Sequence, residues 1–502
     1  MRVLRPFLGA ALLGVVAGLV PGCTVGPNFR PSRAPDVTSY DANEVSLPQA
    51  GDLDPQQRLV IGAEIVKRWW ELLQSPPLND IIVLALSGSP PLAGAIATLA
   101  QAQEAVVQAK AAYYPQLDLG ANASRQHVVK LGSSSVGSGL NISNNGNGSS
   151  FATNIFSFGP LLTYSPDFFG HTRRTVEQQI ALADNERYQL AAAYLSLTAG
   201  TVAQAVTIAS ILAQIKAAEE IVAVDVHNLE LVRIEFEAGS IARTDVLTAE
   251  SQLAGDETLL PPLRQQLSVA RHALSVLVGV TPAQWSPPDF ELDTLTLPID
   301  LPVTVPSQLI HDRPDILAAE GQLHAASAAI GIATAQLYPS VNVSASTMFQ
   351  AVASNGPFSP GILLSLAGGI TQPLFHGDAL LSQRRAAIDA FEVQFNSYRQ
   401  VVLVAFGQIA DTLRALEHDA ELLEAQRRAV TTSEASLALS QEAYAAGRGS
   451  LLQVLDSQRL FSQAVLGYAR AKGQRYLDTV QLFQAMGGAS LDWLAQTAAS
   501  SR

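Results

Sequence analysis

The sequence predicts a membrane protein of the α+β class, in which a tandem repeat supplies four transmembrane β-strands and long, coiled-coil-like helices. Three observations predict this fold. The segment AAYYPQLDLGANAS at 111–124 is echoed by AQLYPSVNVSAS at 335–346. Apolar and polar residues alternate after each Tyr-Pro pair, as in β-strands. Long proline-free stretches follow, in which apolar residues recur at steps of three and four, as in packed helices.

Residues 1–22 form a predicted lipoprotein signal peptide. Two arginines precede an apolar run, Phe7 to Val20, which is too short to span a bilayer as a helix. Cys23, the only cysteine in the chain, lies at the cleavage point, where a bacterial lipobox has its lipid-modified cysteine. Diacylation of the Cys23 thiol and acylation of the new amine would give a firm anchor, because one chain alone binds a membrane only marginally. The alternative, an ordinary buried thiol, would place the single cysteine there by chance.

The composition excludes several classes of protein. The chain has 31 Lys and Arg against 44 Asp and Glu, a net charge of −13, and no basic patch, so nucleic-acid binding is not expected. Beyond the signal peptide we find no uninterrupted apolar run of about 18 residues, so we expect strands rather than helices to cross the membrane. The histidines lack metal-ligand spacing, and neither a phosphate loop nor a nucleophile elbow occurs. We therefore expect no metal, no cofactor beyond the lipid, and no enzymatic activity.

The repeat predicts the organisation of the chain. The interval between the Tyr-Pro pairs, from Tyr114 to Tyr338, is longer than the interval from Gly239 to Gly447. A loop rich in Gly, Ser and Asn at 132–150 accounts for the difference. We predict a signal peptide at 1–22, a lipidated lead segment at 23–70, repeat 1 at 71–300, repeat 2 at 301–490 and a tail at 491–502. Each repeat is expected to hold a helix, two membrane strands and long helices, with the strands at about 115–165 and 339–373 and the long helices at about 172–279 and 378–487.

The predicted strands have one apolar and one polar face. In Gln116–Ser124 the odd-numbered residues are Leu, Leu, Ala and Ala, and in 340–347 Val, Val, Ala and Thr alternate with polar residues. A modest apolar face opposite a polar face is typical of a membrane strand beside a wet lumen. A soluble half-buried sheet is the alternative. It would need a core over its apolar face, and the flanking helices are expected to pack elsewhere.

The long helices are expected to form two hairpins. A helix from Thr172 to about Glu237 would reach roughly 100 Å at about 1.5 Å per residue, and its apolar spacing favours a coiled-coil-like seam. Gly239 and Gly447 are suited to left-handed caps at the ends of the outgoing helices. In the first copy Pro261-Pro262 should kink or break the returning helix, and the second copy has no matching proline.

Four strands cannot close a membrane barrel by themselves. The edges of an open sheet in lipid would leave backbone groups unsatisfied at several kcal/mol each, and natural membrane barrels start at about eight strands. The chain must therefore pool its strands with copies of itself, and a cyclic trimer supplies twelve. The same symmetry would gather the helix pairs into an α-helical barrel below the membrane. The expected product is a homotrimeric conduit.

Several segments carry a family resemblance. GCTVGPNFRPS at 22–32, WWELLQSPPLNDIIVLAL at 69–86 and HDRPDILAAEGQLHAASAAIGIATAQLYPS at 311–340 resemble the TolC-type outer membrane factors, above all the lipoprotein (NodT-like) branch that serves resistance–nodulation–division (RND) efflux systems. The resemblance implies a trimeric, lipid-anchored outer-membrane protein with a twelve-stranded β-barrel on a periplasmic α-helical barrel. It also implies docking to a periplasmic membrane-fusion adaptor and an inner-membrane RND-type pump. Small toxic compounds or drugs would then leave passively through the lumen.

The resemblance further implies a periplasmic gate at the tips of the helices. Asp245, Tyr444 and Asp456 fall on gate positions of the family. Three-fold symmetry would bring three copies of each acid together, which concentrates negative potential in a narrow bore and favours cations. The alternative for each residue is a solvated position near a helix end.

The gate pattern departs from the family at two positions. Gln453 stands where the family has another aspartate, and Gly449 stands where it has an arginine. Either the ring of charge is weaker here or the neighbouring Arg448 substitutes. The tip glycines and serines are candidate adaptor contacts, although a turn role explains the glycines equally well; they are Gly239, Ser240, Gly447 and Ser450.

Two alternative functions stay open at this point. The same duct could serve a type I protein-secretion system, but the lipobox and the CTVGPNF opening favour the efflux branch. A non-pore coiled-coil lipoprotein scaffold or adhesin is a different class, and the polar-faced strands argue against it. A scaffold would give no conductance steps after reconstitution.

Overall fold

The computed structural model describes residues 24–33, 37, 39–42, 47, 57–63, 65–128, 151–354 and 359–487. The predicted signal peptide, Cys23 with its predicted lipid, the loop at 132–150 and the tail at 491–502 lie outside the described residues. The described residues belong to two compact units. The strand unit takes its residues from 1–30, 101–183 and 322–394, and the helix unit from 31–100, 184–321 and 395–502.

The α-helices recur in length and position. In the described part of the chain they are α1 (Pro76–Gly88), α2 (Pro90–Ala111), α3 (His171–Glu237), α4 (Arg243–Glu257), α5 (Leu260–Val278), α6 (Pro306–Asp312), α7 (Pro314–Ala335), α8 (Ala379–Ala445) and α9 (Leu451–Met486). α2 and α7 are each 22 residues long, and their starts are separated by the same interval as the two Tyr-Pro pairs. α3 and α8 are each 67 residues long, and their starts are separated by the same interval as the two tip glycines. The two copies therefore build the same helix before their strands and the same outgoing helix after them.

The strand unit is built on one antiparallel sheet. The β-strands of the described chain are β1 (Arg58–Ile61), β2 (Gln116–Val128), β3 (Phe151–Tyr164), β4 (Asp300–Val303), β5 (Ser340–Ser354) and β6 (Ser359–Thr371). The sheet has the order β2-β3-β5-β6. Its register sets Leu117, Leu162, Ala345 and Leu366 in one row across all four strands. Leu117 is 70% and Leu366 78% exposed, so the apolar face predicted by the alternation is left uncovered at both ends of the row.

The lead segment that follows Cys23 lies against the start of α3. Val25 donates its backbone N–H to the Phe169 carbonyl at 3.1 Å. Arg174, which is 3% exposed, donates to the carbonyls of Val25 and Gly26 and, at 2.9 Å, to the amide oxygen of Asn28. A buried guanidinium needs such partners, because an unpaired buried charge is costly. The start of the lead, from Val25 to Asn28, is therefore held onto the strand unit by the folded chain itself.

The core of the helix unit includes paired tryptophans. Trp69 and Trp70 lie buried in a 3-10 turn, and Trp69 stacks on Phe483 of α9 with ring centroids 5.1 Å apart. β1 pairs in parallel with β4 in the same unit. Sequence reasoning misses this pair, because strands of 4 residues are too short to show a clear alternation.

The returning legs of the two helix hairpins differ. In the first hairpin α4 ends at Glu257 and α5 begins at Leu260, directly before Pro261-Pro262. Proline is tolerated in the first turn of a helix, where its missing N–H would have no partner, but it disrupts a helix interior. In the second hairpin α9 runs unbroken for 36 residues. The break lies where the sequence predicts it.

Two helices correct the expectation about apolar stretches. α3 and α7 are long and apolar enough, by length and composition, to cross a membrane. In α3, 67% of the most apolar 18-residue window is buried inside the protein, and in α7 the buried share of the corresponding window is 56%. Both helices are rich in alanine, which raises the mean hydropathy without producing an uninterrupted run of large apolar residues. Their apolar windows thus serve largely as packing surface within the chain.

Candidate functional site at the helix tips

The first tip turn joins α3 to α4. Gly239 has a φ of +76°, in the left-handed region that favours glycine. Its N–H donates to the Phe236 carbonyl, and the N–H of Ser240 donates to the Glu235 carbonyl, each at 2.9 Å. These two bonds form a Schellman motif, which satisfies the last carbonyls of a helix. Gly239 is thereby explained by its backbone conformation.

The second tip turn, between α8 and α9, has the same construction. Gly447 has a φ of +67°, its N–H donates to the Tyr444 carbonyl at 2.9 Å, and the N–H of Arg448 donates to the Ala443 carbonyl at 2.8 Å. Apart from each glycine and its two chain neighbours, no atom of the described residues lies within 4 Å of a Cβ built on Gly447 or on Gly239. Both glycines are therefore required by the φ angle and not by lack of space.

An apolar cluster, called the tip cluster below, connects the two hairpins. It contains buried residues of α3, α4 and α9, and it is made of Leu229, Val232, Val246, Ala249, Leu451 and Leu455. Tyr444 of α8 packs against it from the side. Buried apolar side chains contribute about 1.5–3 kcal/mol each to stability. The cluster brings the first and second repeats together within the helix unit.

Tyr444 adds a polar link between the hairpins. Its hydroxyl donates a hydrogen bond to the Glu235 carboxylate of α3. Partial burial, this bond and the nearby charges of Glu235 and Asp245 raise the pKa of Tyr444 to about 12. The phenol therefore stays neutral and remains a donor at physiological pH. The structure thus places Tyr444 and Asp245, two predicted gate residues, at the same tip.

The returning helices are capped in different ways. Asp245 accepts a hydrogen bond at Oδ2 from the backbone N–H of Ala242 at 3.1 Å, and Ala242 offers no side-chain acceptor of its own. In the second hairpin the Ser450 hydroxyl accepts the N–H of Gln453 at 3.3 Å. Both bonds satisfy donors at a helix start. Asp245 and Ser450 consequently have structural roles, and their gate and adaptor-contact roles stay predictions.

Asp456 lies on an exposed face of α9, beside the tip cluster. Its carboxylate pairs with Arg459 three residues on, at 2.6 Å, and its side chain is 58% exposed. Arg448 is also exposed and takes part in the turn through its backbone N–H. Within the chain, the cation that contacts Asp456 is Arg459, and the role of Arg448 in a gate stays a prediction.

Sequence reasoning missed several polar residues near the tip. Arg459 could have been found, because oppositely charged residues three apart on a helix are neighbours. Glu235 could not, since 209 residues separate it from Tyr444. The same holds for the Arg233–Glu250 ion pair, whose charged atoms lie 2.9 Å apart. These contacts depend on how the hairpin legs are set against one another.

Each hairpin also contains a pair of carboxyl groups between its two legs. Asp225 of α3 is 3% exposed and lies beside Asp256 of α4. Neither carboxyl oxygen of Asp225 has a donor among the described residues, and a proton shared with Asp256 would supply one. Burial and this neighbouring acid raise the pKa of Asp225 to about 7.

The second hairpin repeats this arrangement. Burial and the neighbouring Asp478 of α9 raise the pKa of Asp419 of α8 to about 8. Each pair therefore holds a proton well above the pH at which a free aspartate loses it.

The family of this chain follows from its similarity to known proteins. The sequence profile of the outer membrane efflux protein family matches residues 81–280 and 305–488, which is more than half of the chain. This chain belongs to the outer membrane efflux protein family. The match confirms the predicted family resemblance and the predicted function as an outer-membrane efflux duct. The family is one of channel proteins and not of enzymes.

Individual members of the family cover almost the whole chain. The pyoverdine export outer membrane protein OpmQ of Pseudomonas aeruginosa is 28% identical over 85% of this chain and 88% of its own. Nodulation protein T of Rhizobium leguminosarum bv. viciae is 27% identical over 96% of this chain and 93% of its own. The solved structure of the outer-membrane channel OprN is 25% identical, with a TM-score of 0.79 over 93% of this chain and 99% of that chain. The mixed helix and sheet fold is therefore that of an outer-membrane channel.

Proposed function

We propose that this efflux protein is the exit duct of a tripartite pump, in which a homotrimer forms a twelve-stranded β-barrel on a periplasmic α-helical barrel. A periplasmic adaptor and an inner-membrane RND-type pump deliver small toxic compounds to it. Acyl chains on Cys23 add a second tether to the outer membrane. A relative named for pyoverdine export supports a small-compound cargo. The equal helix lengths of the two copies support repeat boundaries near 71–300 and 301–490.

The open sheet of the strand unit carries this proposal. In the described part of the chain, its four strands leave the outer edges of β2 and β6 without a neighbouring strand, while the ends of its apolar row are exposed. In lipid each unsatisfied backbone group would cost several kcal/mol. Three chains supply twelve strands and leave no edge, which supports a closed trimeric barrel.

The gate proposal rests on the helix tips. Asp456 is exposed, and Asp245 and Tyr444 lie at the same tip, so three-fold symmetry would place three copies of each near one axis. The exposed residues of the two turns would meet the adaptor; they are Gly239, Ser240, Gly447 and Ser450. Arg448 is exposed in the second turn and remains available to the adaptor or to a neighbouring copy.

Conductance of the trimer in planar bilayers tests both proposals. Wild-type protein should give single-channel steps, and Asp456→Ala should raise the conductance or weaken block by divalent cations, because it removes three negative charges from the bore. Arg459→Ala frees the same carboxylate from its ion pair and should strengthen the block. Asp184→Ala is the matched control, because Asp184 also pairs with an arginine three residues on, Arg187 of α3, and its side chain is 47% exposed.

The outcomes separate the two proposals. An absence of channel steps from the wild-type protein would contradict the duct. If Asp456→Ala and Asp184→Ala change the conductance and the block by divalent cations equally, the gate position of Asp456 is contradicted. The duct proposal is not affected by that result.

A further inference from the structure

The apolar packing of the first hairpin is interrupted part-way along its two legs. On α3, Leu229 belongs to the tip cluster, whereas Ile221 belongs to the larger core that includes the paired tryptophans. On the returning leg, Leu253 packs against the tip cluster and Leu260 packs against the larger core. Residues four apart lie on one face of a helix, and Asp225 lies between Ile221 and Leu229 on that face. A polar layer therefore separates the two apolar clusters.

The returning leg is broken in the same layer, at Thr258 and Leu259, called the joint below. The N–H of Thr258 donates to the Gly255 carbonyl at 3.2 Å, three residues back. The N–H of Leu259 donates to the Asp256 carbonyl at 3.1 Å, again three residues back. Such tight turns within a helical stretch often mark a hinge. Pro261-Pro262 adds no N–H to the turn before it, so the joint has fewer helical bonds than the rest of the leg.

Two ion pairs connect α3 to the returning leg on either side of the joint. Toward the tip, Arg233 pairs with Glu250 of α4 at 2.9 Å. Toward the larger core, Glu219 pairs with Arg264 of α5 at 3.0 Å. Both contacts join opposite charges, and neither an arginine nor a glutamate paired with it changes its charge between about pH 5 and pH 9. The contacts that flank the joint are therefore insensitive to pH in this range.

The contact at the joint itself is between two acids. Asp225 is 3% exposed, neither of its carboxyl oxygens has a donor among the described residues, and the charge that acts on it is that of Asp256. The Asp256 carboxylate accepts a hydrogen bond from Gln252 at 2.7 Å. One proton between the two acids supplies the missing hydrogen bond. Without it, two negative charges face each other away from water, where repulsion is strong and an unsatisfied carboxylate is costly.

The second hairpin has a similar acid pair without a joint. Asp478 of α9 lies beside Asp419 of α8 and accepts a hydrogen bond at 3.0 Å from Gln474, one turn earlier, as Asp256 does from its own glutamine. The positive charge of Arg475 also acts on Asp419. α9 is unbroken here and packs into the larger core on both sides of Asp478. Repulsion within this pair therefore meets no hinge at which the legs could part.

We propose that Asp225 and Asp256 form a proton-dependent latch, which holds the end of α4 on α3 while the pair has its proton and lets the joint open when the proton leaves. Burial and the neighbouring acid raise the pKa of Asp225 to about 7, so the latch is closed below about pH 7 and open above it. Because α4 also carries Asp245, an open latch moves a predicted gate residue. That last consequence rests on the proposed function.

Spin-label mobility in the full-length protein in detergent tests the latch. Ala254→Cys places a nitroxide on the exposed surface of α4 beside the joint, and Gln481→Cys places a control label on the exposed surface of α9 beside Asp478. The unsubstituted protein, treated with the same reagent, shows any label on Cys23. Spectra are recorded from pH 5 to pH 9.

A mobile spectral component should grow at position 254 as the pH rises, with its midpoint near pH 7, and the control label should not change. Asp225→Asn should abolish this change, because an amide donates to the Asp256 carboxylate at every pH. Asp256→Asn should abolish it from the opposite leg, and Asp419→Asn should leave it intact. An unchanged spectrum at position 254 from pH 5 to pH 9, or a change that survives both substitutions in the latch, would overturn the proposal.

Conductance separates the latch from the proposed duct and gate. The wild-type channel should conduct better above pH 7 than below it, by a larger factor than the Asp225→Asn channel. A spectral change without this difference in conductance would keep the latch and contradict its effect on the gate. An absence of channel steps would contradict the duct, and the spin-label spectra would still decide the latch.

Discussion

The two helix hairpins have tip turns of the same construction, but their returning legs differ. Both outgoing helices have 67 residues and end in the same Schellman turn around a left-handed glycine. The first returning leg is broken between α4 and α5, whereas the second is the continuous α9. The tip and the leg are therefore specified separately. A φ angle above zero requires the glycine, while a proline pair, present in one copy only, sets whether the leg is continuous.

The largest loss of stability is expected when a proline break like that of the first returning leg is introduced into the second. Ala469 of α9 corresponds to Pro261 when the two tip glycines are aligned, and Ala469→Pro removes a helix bond and inserts a ring clash in the helix interior. We expect a loss of about 3 kcal/mol or more and a lower melting temperature by circular dichroism in detergent. Pro262→Ala in the first leg is the control, with an expected change below about 1 kcal/mol. Equal melting of Ala469→Pro and wild type would show that the second leg tolerates a break.

The acid pairs offer a second test, which depends on pH. Because the pKa of Asp225 and of Asp419 is raised on folding, to about 7 and about 8, the folded chain binds more protons than the unfolded chain above about pH 4. Stability should therefore fall as pH rises from about 4 to about 8. Asp419→Asn should raise the melting temperature more at pH 8 than at pH 5, and Asp225→Asn should show a smaller gain.

Asp184→Asn controls for the loss of one negative charge on an exposed helix face. A gain of the same size in this control at pH 8 would attribute the effect to net charge and not to the buried pairs. A gain for Asp419→Asn that is as large at pH 5 as at pH 8 would contradict the raised pKa.

The smallest expected effects concern the caps. Ser450→Ala removes the side-chain cap of α9 and should cost about 1 kcal/mol. Ala242→Ser would give α4 the cap that it lacks and should stabilise the first tip by up to about 1 kcal/mol. Denaturant midpoints measure both changes. Opposite signs are expected, and an Ala242→Ser variant without any gain would show that water already satisfies the first N–H groups of α4.

Much of the fold could be predicted because its signals are local. The period-two alternation marked the strands that became β2 and β5, and the proline pair marked the break before α5. The role of the tip glycines could be predicted because a glycine directly after a long helical pattern is typical of a left-handed cap.

The tip site could be predicted only in part. Asp456 and its neighbour Arg459 are three residues apart, but Glu235 has no local relation to Tyr444.

The duplication, the strand faces, the helix lengths and the turns were all specified by the sequence, since each follows from spacing along the chain. The tertiary structure was needed to show which distant groups meet: Glu235 with Tyr444, Asp419 with Asp478, and β1 with β4. Periodicity states which face of an element is buried, but it does not state which residue of another element lies opposite. That choice depends on the packing of elements that lie far apart in the chain, and it produced the neighbouring buried acids and the polar link at the tip.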